Sequence, residues 1–139
     1  MVAFTGNDPR TATLKDSSGT VSGVGIVLAK SDQANQLQVG AATDVPLGIS
    51  AGESSRDADG TLETTSHTVS FFPMGGVHMV ASQTGITYES GDLVYLKGSG
   101  LINKTAGSDK LVGVYVGTGV TTASAGELVP INTTQCATA

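Results

Sequence analysis

The sequence predicts an all-β protein, a small β-barrel or sandwich of short antiparallel strands behind an extended N-terminal arm. Three observations predict it. Apolar residues alternate with others in short runs bounded by Gly, Ser, Asp or Asn, the period of a half-buried strand. Glycine is abundant, at 19 of 139 residues, and charged residues make up only 14%, a balance that suits tight turns and gives little solvated helix surface. No window longer than about ten residues places apolar side chains at i, i+3, i+4 and i+7, the spacing an amphipathic helix needs.

Taken in order, residues 1–20 are rich in Gly, Asp, Pro, Ser and Thr, with Phe4, Pro9 and Leu14 as scattered apolar points and no period of 2 or 3.6. They read as an arm outside the core, and the alternative is a disordered tail. The body is expected over residues 21–133 and a short tail over 134–139. From Val21 the character changes, and Val24, Ile26 and Leu28 alternate with Gly25, Val27 and Ala29 as a strand does. Short strands follow at 36–39 and 45–50.

Arg56-Asp57-Ala58-Asp59-Gly60 reads as a turn, because Asp-Gly readily supplies the positive φ of a tight hairpin. A long strand is expected over 61–72, with Thr-rich faces that suit a sheet edge or a projection from the body. Pro73-Met74-Gly75-Gly76 breaks that run, and Val77, Met79 and Ala81 alternate with His78 and Val80 after it. Further strands are expected at 93–97, 100–104, 111–116 and 127–131, and the 139 residues call for one domain with one core.

Two local patterns recur. Ser90-Gly91-Asp92-Leu93-Val94 returns as Ala125-Gly126-Glu127-Leu128-Val129, in which Gly turns the backbone, the acid stays in water and the apolar pair opens a strand. Leu47-Gly48-Ile49 returns as Val112-Gly113-Val114, where Gly within a strand permits a bend or a close approach. Setting Gly48 against Gly113 also brings 23–26 near 91–94, so the body reads either as two related halves or as the chance repetition common in glycine-rich β proteins.

The composition bears on function. With no Trp, three Tyr and three Phe, the chain lacks the aromatic platforms that stack bases or sugar rings. A net charge of -5 with only seven Lys and Arg argues against nucleic acid as a partner, since binding it displaces counterions with cations. No membrane partner is expected either, because no stretch approaches the ~20 apolar residues of a span. Residues 1–6 have neither the basic start nor the apolar run of a signal peptide, so synthesis and folding in a cytoplasm are expected.

Chemistry-bearing residues are few. Cys136 is the only cysteine and reads as a free thiol on a frayed tail. His67 and His78 lack companions at metal-ligand spacing and are expected to be satisfied or solvent-facing. Asp57, Asp59 and Glu63 could offer oxygens to Ca²⁺, but the closing bidentate Glu of a twelve-residue loop is missing, and a solvated turn is expected. HExxH, GxSxG and GxxxxGK[ST] are absent, so no enzyme and no cofactor are expected. Phe71, Phe72 and Met74 form the densest group of large apolar residues, which is either core or a contact patch.

Several of these pieces, taken in order, carry a resemblance. The segments 21–28, 45–49, 75–77, 86–95, 111–114 and 123–131, which include Val45-Pro46-Leu47-Gly48-Ile49 and Ile86-Thr87-Tyr88-Glu89-Ser90-Gly91-Asp92-Leu93-Val94-Tyr95, resemble the capsid cement or head-decoration proteins of tailed phages and related viruses. That is a small-barrel group once known only as a domain of unknown function. The chain departs from the pattern over 51–72.

The resemblance implies a non-catalytic virion protein, made in the host cytoplasm, that sits on the outer surface of an icosahedral head. There such proteins clamp neighbouring major capsid subunits, commonly as homotrimers at or near threefold positions. On this reading Phe4, Pro9, Arg10 and Leu14 contact the capsid from the arm, and Phe71, Phe72 and Met74 meet a sister subunit. The alternative is a virion or cell-surface β module that binds a host receptor or glycan, against which the absence of Trp weighs.

Overall fold

The structure is a computed structural model and describes residues 9–139. Twelve strands form among the described residues: β1 Arg10–Leu14, β2 Val27–Lys30, β3 Gln36–Val39, β4 Pro46–Ser50, β5 Thr68–Pro73, β6 Val77–Ser82, β7 Thr87–Tyr88, β8 Leu93–Leu96, β9 Ile102–Asn103, β10 Leu111–Tyr115, β11 Val120–Thr121 and β12 Glu127–Asn132. A single 3-10 turn, Gly98–Gly100, is the only helical piece described. The fold is all-β, as the alternation requires.

The strands close into two barrels in place of the single body expected. The first runs β1-β3-β2-β4-β5 and the second β6-β9-β8-β10-β12, each returning to its first strand, with β7 and β11 paired as a separate ribbon. Closure leaves neither barrel, among the described residues, with an edge strand for another chain to extend.

The two barrels share one topology. In each, the first strand lies parallel to the third (β1 on β3, β6 on β9) and the remaining neighbours are antiparallel. The register agrees residue by residue. Gly48 on β4 faces Leu28 on β2, Gly113 on β10 faces Val94 on β8, and a bulge follows each pair. Thus Leu28 and Val94, Val27 and Leu93, Ile49 and Val114, and Leu37 and Ile102 hold matching places. The Leu-Gly-Ile and Val-Gly-Val match therefore marks a structural repeat. The Gly-acid-apolar device opens β8 and β12, which occupy different places in the topology, and is turn chemistry alone.

Residues 10–14 correct the expected arm. They are β1, hydrogen-bonded into the first barrel between β5 and β3, and Leu14 is fully buried. The flanking Thr side chains face water while Ala12 and Leu14 face in, a short period-2 pattern with only two apolar residues. Leu14 packs with Val21, Leu28, Leu37 and Val69, so it belongs to the core and not to a capsid contact.

The expected long strand over 61–72 also changes. Arg56 and Leu62 bridge across the turn that Gly60 completes at φ 81, as Asp-Gly predicted, but the chain then bends and regular pairing starts only at Thr68. Ser66 sits at φ 49, a left-handed conformation that no strand accommodates. The tail is docked and not frayed: the Ala137 N–H donates to Leu111 O at 2.8 Å and the Gly76 N–H to Thr134 Oγ1 at 3.1 Å. Cys136 is half-buried there, and burial pushes its thiol pKa up, which disfavours the thiolate.

The barrels are joined along a close seam. Val27 and Ile49 belong by chain to the first barrel, yet they pack into the apolar cluster of the second with Val80, Val94 and Leu96. Backbone bonds stitch the join, from Ala81 N–H to Gly25 O at 2.8 Å, Gly100 N–H to Gly40 O at 2.8 Å and Lys110 N–H to Ala42 O at 2.9 Å. Gly25 lies at φ 93, and a Cβ there would stand 2.3 Å from Leu128 and 3.1 Å from the Ala81 backbone nitrogen. Only Gly meets both demands.

Two outcomes follow from the packing. Replacing the fully buried Leu14 by Ala is expected to cost about 2–5 kcal/mol, the range for a buried Leu, read by urea unfolding; an arm residue would cost almost nothing. Tyr88, fully buried with its hydroxyl 2.6 Å from Ser82 Oγ, has its pKa raised, first by burial. Its folded pKa therefore lies above the unfolded value near ~10, so the stability it contributes is whole below about pH 10 and is lost as pH rises through the folded pKa. The urea midpoint should fall above about pH 10, and Tyr88→Phe should flatten that fall.

Candidate interaction surface

The residues expected to act together are scattered. Phe4 lies outside the described residues. Pro9 and Arg10 are exposed at the start of the first barrel, where Arg10 pairs with Phe71. Phe71 is half-buried and packs on the core of that barrel, while Met74 packs against the core of the other. Phe72 alone of the three lines a surface groove, stacked on His78 with centroids 5.7 Å apart.

The histidines and acids are engaged locally. His67 is fully buried, with Nε2 3.1 Å from Gly19 O, so that carbonyl holds the proton on Nε2; Nδ1 is buried and finds no partner among the described residues. His78 Nε2 lies 3.1 Å from Pro73 O in the same manner. Asp57 Oδ1 accepts the N–H groups of Asp59 and Thr61 at 2.9 and 3.0 Å, an Asx turn that engages the carboxylate in holding the loop. Among the described residues no three His, Cys, Asp or Glu side chains converge as metal ligands, and no helix is long and apolar enough to cross a membrane.

The feature that stands out is apolar. Cross-strand pairing lays Leu93 on β8 beside Val114 on β10, Val114 beside Asn132 on β12, and Asn132 beside Val77 on β6. The parallel row brings Pro130 beside Met79, and Leu128 follows beside Ala81. Opposed residues of a pair share one face of a sheet, here the outer face of the second barrel. Its apolar members stand in water: Val77 is 53% exposed, Leu93 47%, Met79 45% and Val116 43%. Exposed large apolar residues in this number mark a candidate contact surface.

A groove of about 410 Å³ lies where this face meets the seam, lined by Val24, Ile49, Phe72, Val77, His78 and Met79. The face carries no Lys, Arg, Asp or Glu among its outward residues; the nearest, Asp92, is drawn aside toward Lys104 at 3.2 Å, and Glu127 Oε2 accepts the Ala123 N–H. Such a surface offers apolar burial and shape, with His78 the one titratable side chain lining its groove.

Sequence reasoning did not find this face. Each of its strands alternates, which says that one side is buried and one is not, but the outward residues here are themselves apolar. Val77-His78-Met79-Val80-Ala81 and Leu93-Val94-Tyr95-Leu96 carried that signal as runs apolar on both faces, the pattern of a strand covered on both sides.

No family model matches the chain, and no curated protein matches it.

If the face is not needed for folding, polar substitutions on it leave the monomer intact. Met79→Ser and Val116→Ser, at residues 45% and 43% exposed, should each change unfolding free energy by less than about 0.5 kcal/mol, measured by urea unfolding at a concentration too low for association.

Proposed function

We propose that this chain is a non-catalytic structural protein of a viral head, a cement or decoration protein that binds the outer surface of the shell and bridges neighbouring major capsid subunits. The observation that carries this reading is the exposed apolar face of the second barrel, a surface made for burial against protein and lacking charge. The order of short β segments that resembles decoration proteins supplies the viral setting. Two closed barrels sharing a seam also suit a clamp, because barrels without edge strands resist unwanted strand pairing with their neighbours.

The reading retains Pro9 and Arg10 as exposed capsid-contact candidates beside Phe4, and Phe72 as the aromatic residue open to a partner. Leu14 has no part in it. The homotrimer belongs to the proposal through the resemblance.

The test is addition of purified chain to heads assembled without it. Saturable co-sedimentation is expected, together with a higher melting temperature of the decorated heads. Failure to bind at any ratio, with melting unchanged, would sink the proposal, and a reproducible hit on a glycan array would favour the receptor-binding alternative.

A further inference from the structure

We infer that the groove between the β7–β11 ribbon and β12 is a strand-addition site, which takes an extended peptide segment of another protein as an added β-strand. It stands whether or not that partner is a capsid subunit.

The groove opens where two strands part. β10 and β11 follow one another along the chain, and both have one side filled. The Tyr115 N–H donates to Asp92 O at 2.8 Å and the Gly91 N–H to Tyr115 O at 2.9 Å, while β11 is paired to β7. The other side of β10 meets β12, where Val114 pairs with Asn132 and Tyr115 with Ile131. That pairing ends at Pro130. Its carbonyl accepts the Val116 N–H at 3.1 Å, but a proline has no N–H to return, and the chain peels away from β12 toward β7. A groove of about 360 Å³ lies between 117–120 and 127–130, with Tyr115, Val120, Leu128 and Pro130 among its walls, within the size range of ligand sites.

The walls are braced. The Tyr115 hydroxyl donates to Thr118 O, and a Cβ on Gly117 would stand 2.9 Å from Pro130 Cγ. Thr122 Oγ1 accepts the Ile86 N–H at 2.9 Å and donates to Gln83 O at 2.7 Å, which keeps the ribbon from folding back onto β12.

Alternation decides which main-chain groups are left over. In an antiparallel pair, residues that exchange bonds alternate with residues whose groups point outward. The Thr122 N–H donates to Ile86 O at 2.9 Å, so Thr121 turns its own N–H and C=O away from β7. Its hydroxyl lies 2.9 Å from that of Thr87, the close approach of a non-hydrogen-bonded pair. On β12 the Thr133 N–H donates to Gly76 O at 2.8 Å, so odd-numbered residues serve β6, while Pro130 O serves Val116. Leu128, two residues before Pro130, therefore turns its N–H and C=O toward the groove. No backbone group among the described residues is bonded to those of Thr121 or Leu128. The Leu128 side chain reaches toward Gly25 at the seam, so seam and groove use different parts of this residue.

These groups choose the occupant. A free donor beside a free acceptor on extended backbone is matched by another extended backbone, and apolar walls then hold its alternate side chains. Val120 and Leu128 are each 37% exposed there. No Lys or Arg lines the groove, and its one acid, Glu127, already accepts the Ala123 N–H at 3.3 Å, so the segment is held by backbone and apolar contact and not by charge.

The experiment is a titration of the full chain, labelled for amide NMR, with the capped peptide Lys-Val-Thr-Val-Thr-Val-Lys over roughly 0.1 to 5 mM, the range of a contact held by a few main-chain bonds. Saturable shifts are expected at Thr121 and Leu128 and not in β1. The same peptide N-methylated at its valines keeps its charge and side chains and should bind about tenfold more weakly. Thr121→Pro, which removes a free N–H without touching a bond to β7, should weaken the unmethylated peptide by a similar factor. Amide exchange of the wild type supplies a reading that needs no variant: Thr121 and Leu128 should exchange faster than Thr122 and slow when peptide is added. Protection of those two amides in the free chain, equal binding of the methylated peptide, or no saturable shift would each overturn the inference. So would protection that rises with chain concentration alone, which would assign the groove to a second copy. With no heads in the sample, each of these results leaves the capsid reading standing.

Discussion

Val27 and Ile49 are outward residues of one barrel that are buried inside the apolar cluster of another, and the rest of the structure depends on that transfer. A five-stranded barrel of about sixty residues buries little apolar surface and is marginal by itself. Each of these two side chains contributes about 1.5–3 kcal/mol when fully buried, and neither can be buried within its own barrel, because its Cβ points away from that barrel's core. Approach close enough to cover them brings backbone against backbone, which is why Gly25, Gly40 and Gly100 line the join and why three main-chain hydrogen bonds cross it. The seam makes two small barrels one folding unit.

The same constraint creates the asymmetry on which the functional reading rests. Two barrels of one topology, docked head to tail, consume one copy of the docking face and leave the other. At the free end of the first barrel the receiving positions Thr11, Thr13, Thr68 and Asn35 are polar; in the second barrel the donating positions, which match Val27 and Ile49, hold Leu93 and Val114. A molecule polar at one end and apolar at the other carries an exposed apolar surface set by the fold. That arrangement fits a protein whose work is to be buried against other protein, which supports the cement proposal.

Much of the fold was legible from the chain. Val77 to Ala81, 93–97, 111–116 and 127–131 all coincide with strands, because each alternates and each is fenced by Gly, Asp or Asn. The turn closed by Gly60 was equally plain. The register match of Gly48 and Gly113 was visible as a sequence pair but not as a fact, since only pairing partners separate a structural repeat from repeated turn chemistry. β1 was missed because Arg10-Thr11-Ala12-Thr13-Leu14 offers two inward residues, Ala and Leu, too few to set a period. Its place comes from hydrogen bonds to β5 and β3, far along the chain. Residues 61–67 failed in the opposite sense: Thr-rich composition favours a strand locally, and the buried His67 with its carbonyl partner at Gly19 draws the chain into a bend.

By itself the sequence determined the class of structure, its turns and the lack of a recognisable catalytic motif, because alternation and glycine placement act over a few residues and can be read locally. Tertiary structure alone decided that there are two barrels, that Leu14 is core, and that a bare apolar face remains. Those outcomes depend on which side of a strand another part of the chain comes to cover. An outward Val on β2 and an outward Leu on β8 look alike in sequence; one is buried and the other exposed because the second barrel covers Val27 and no described residue covers Leu93 in the same way.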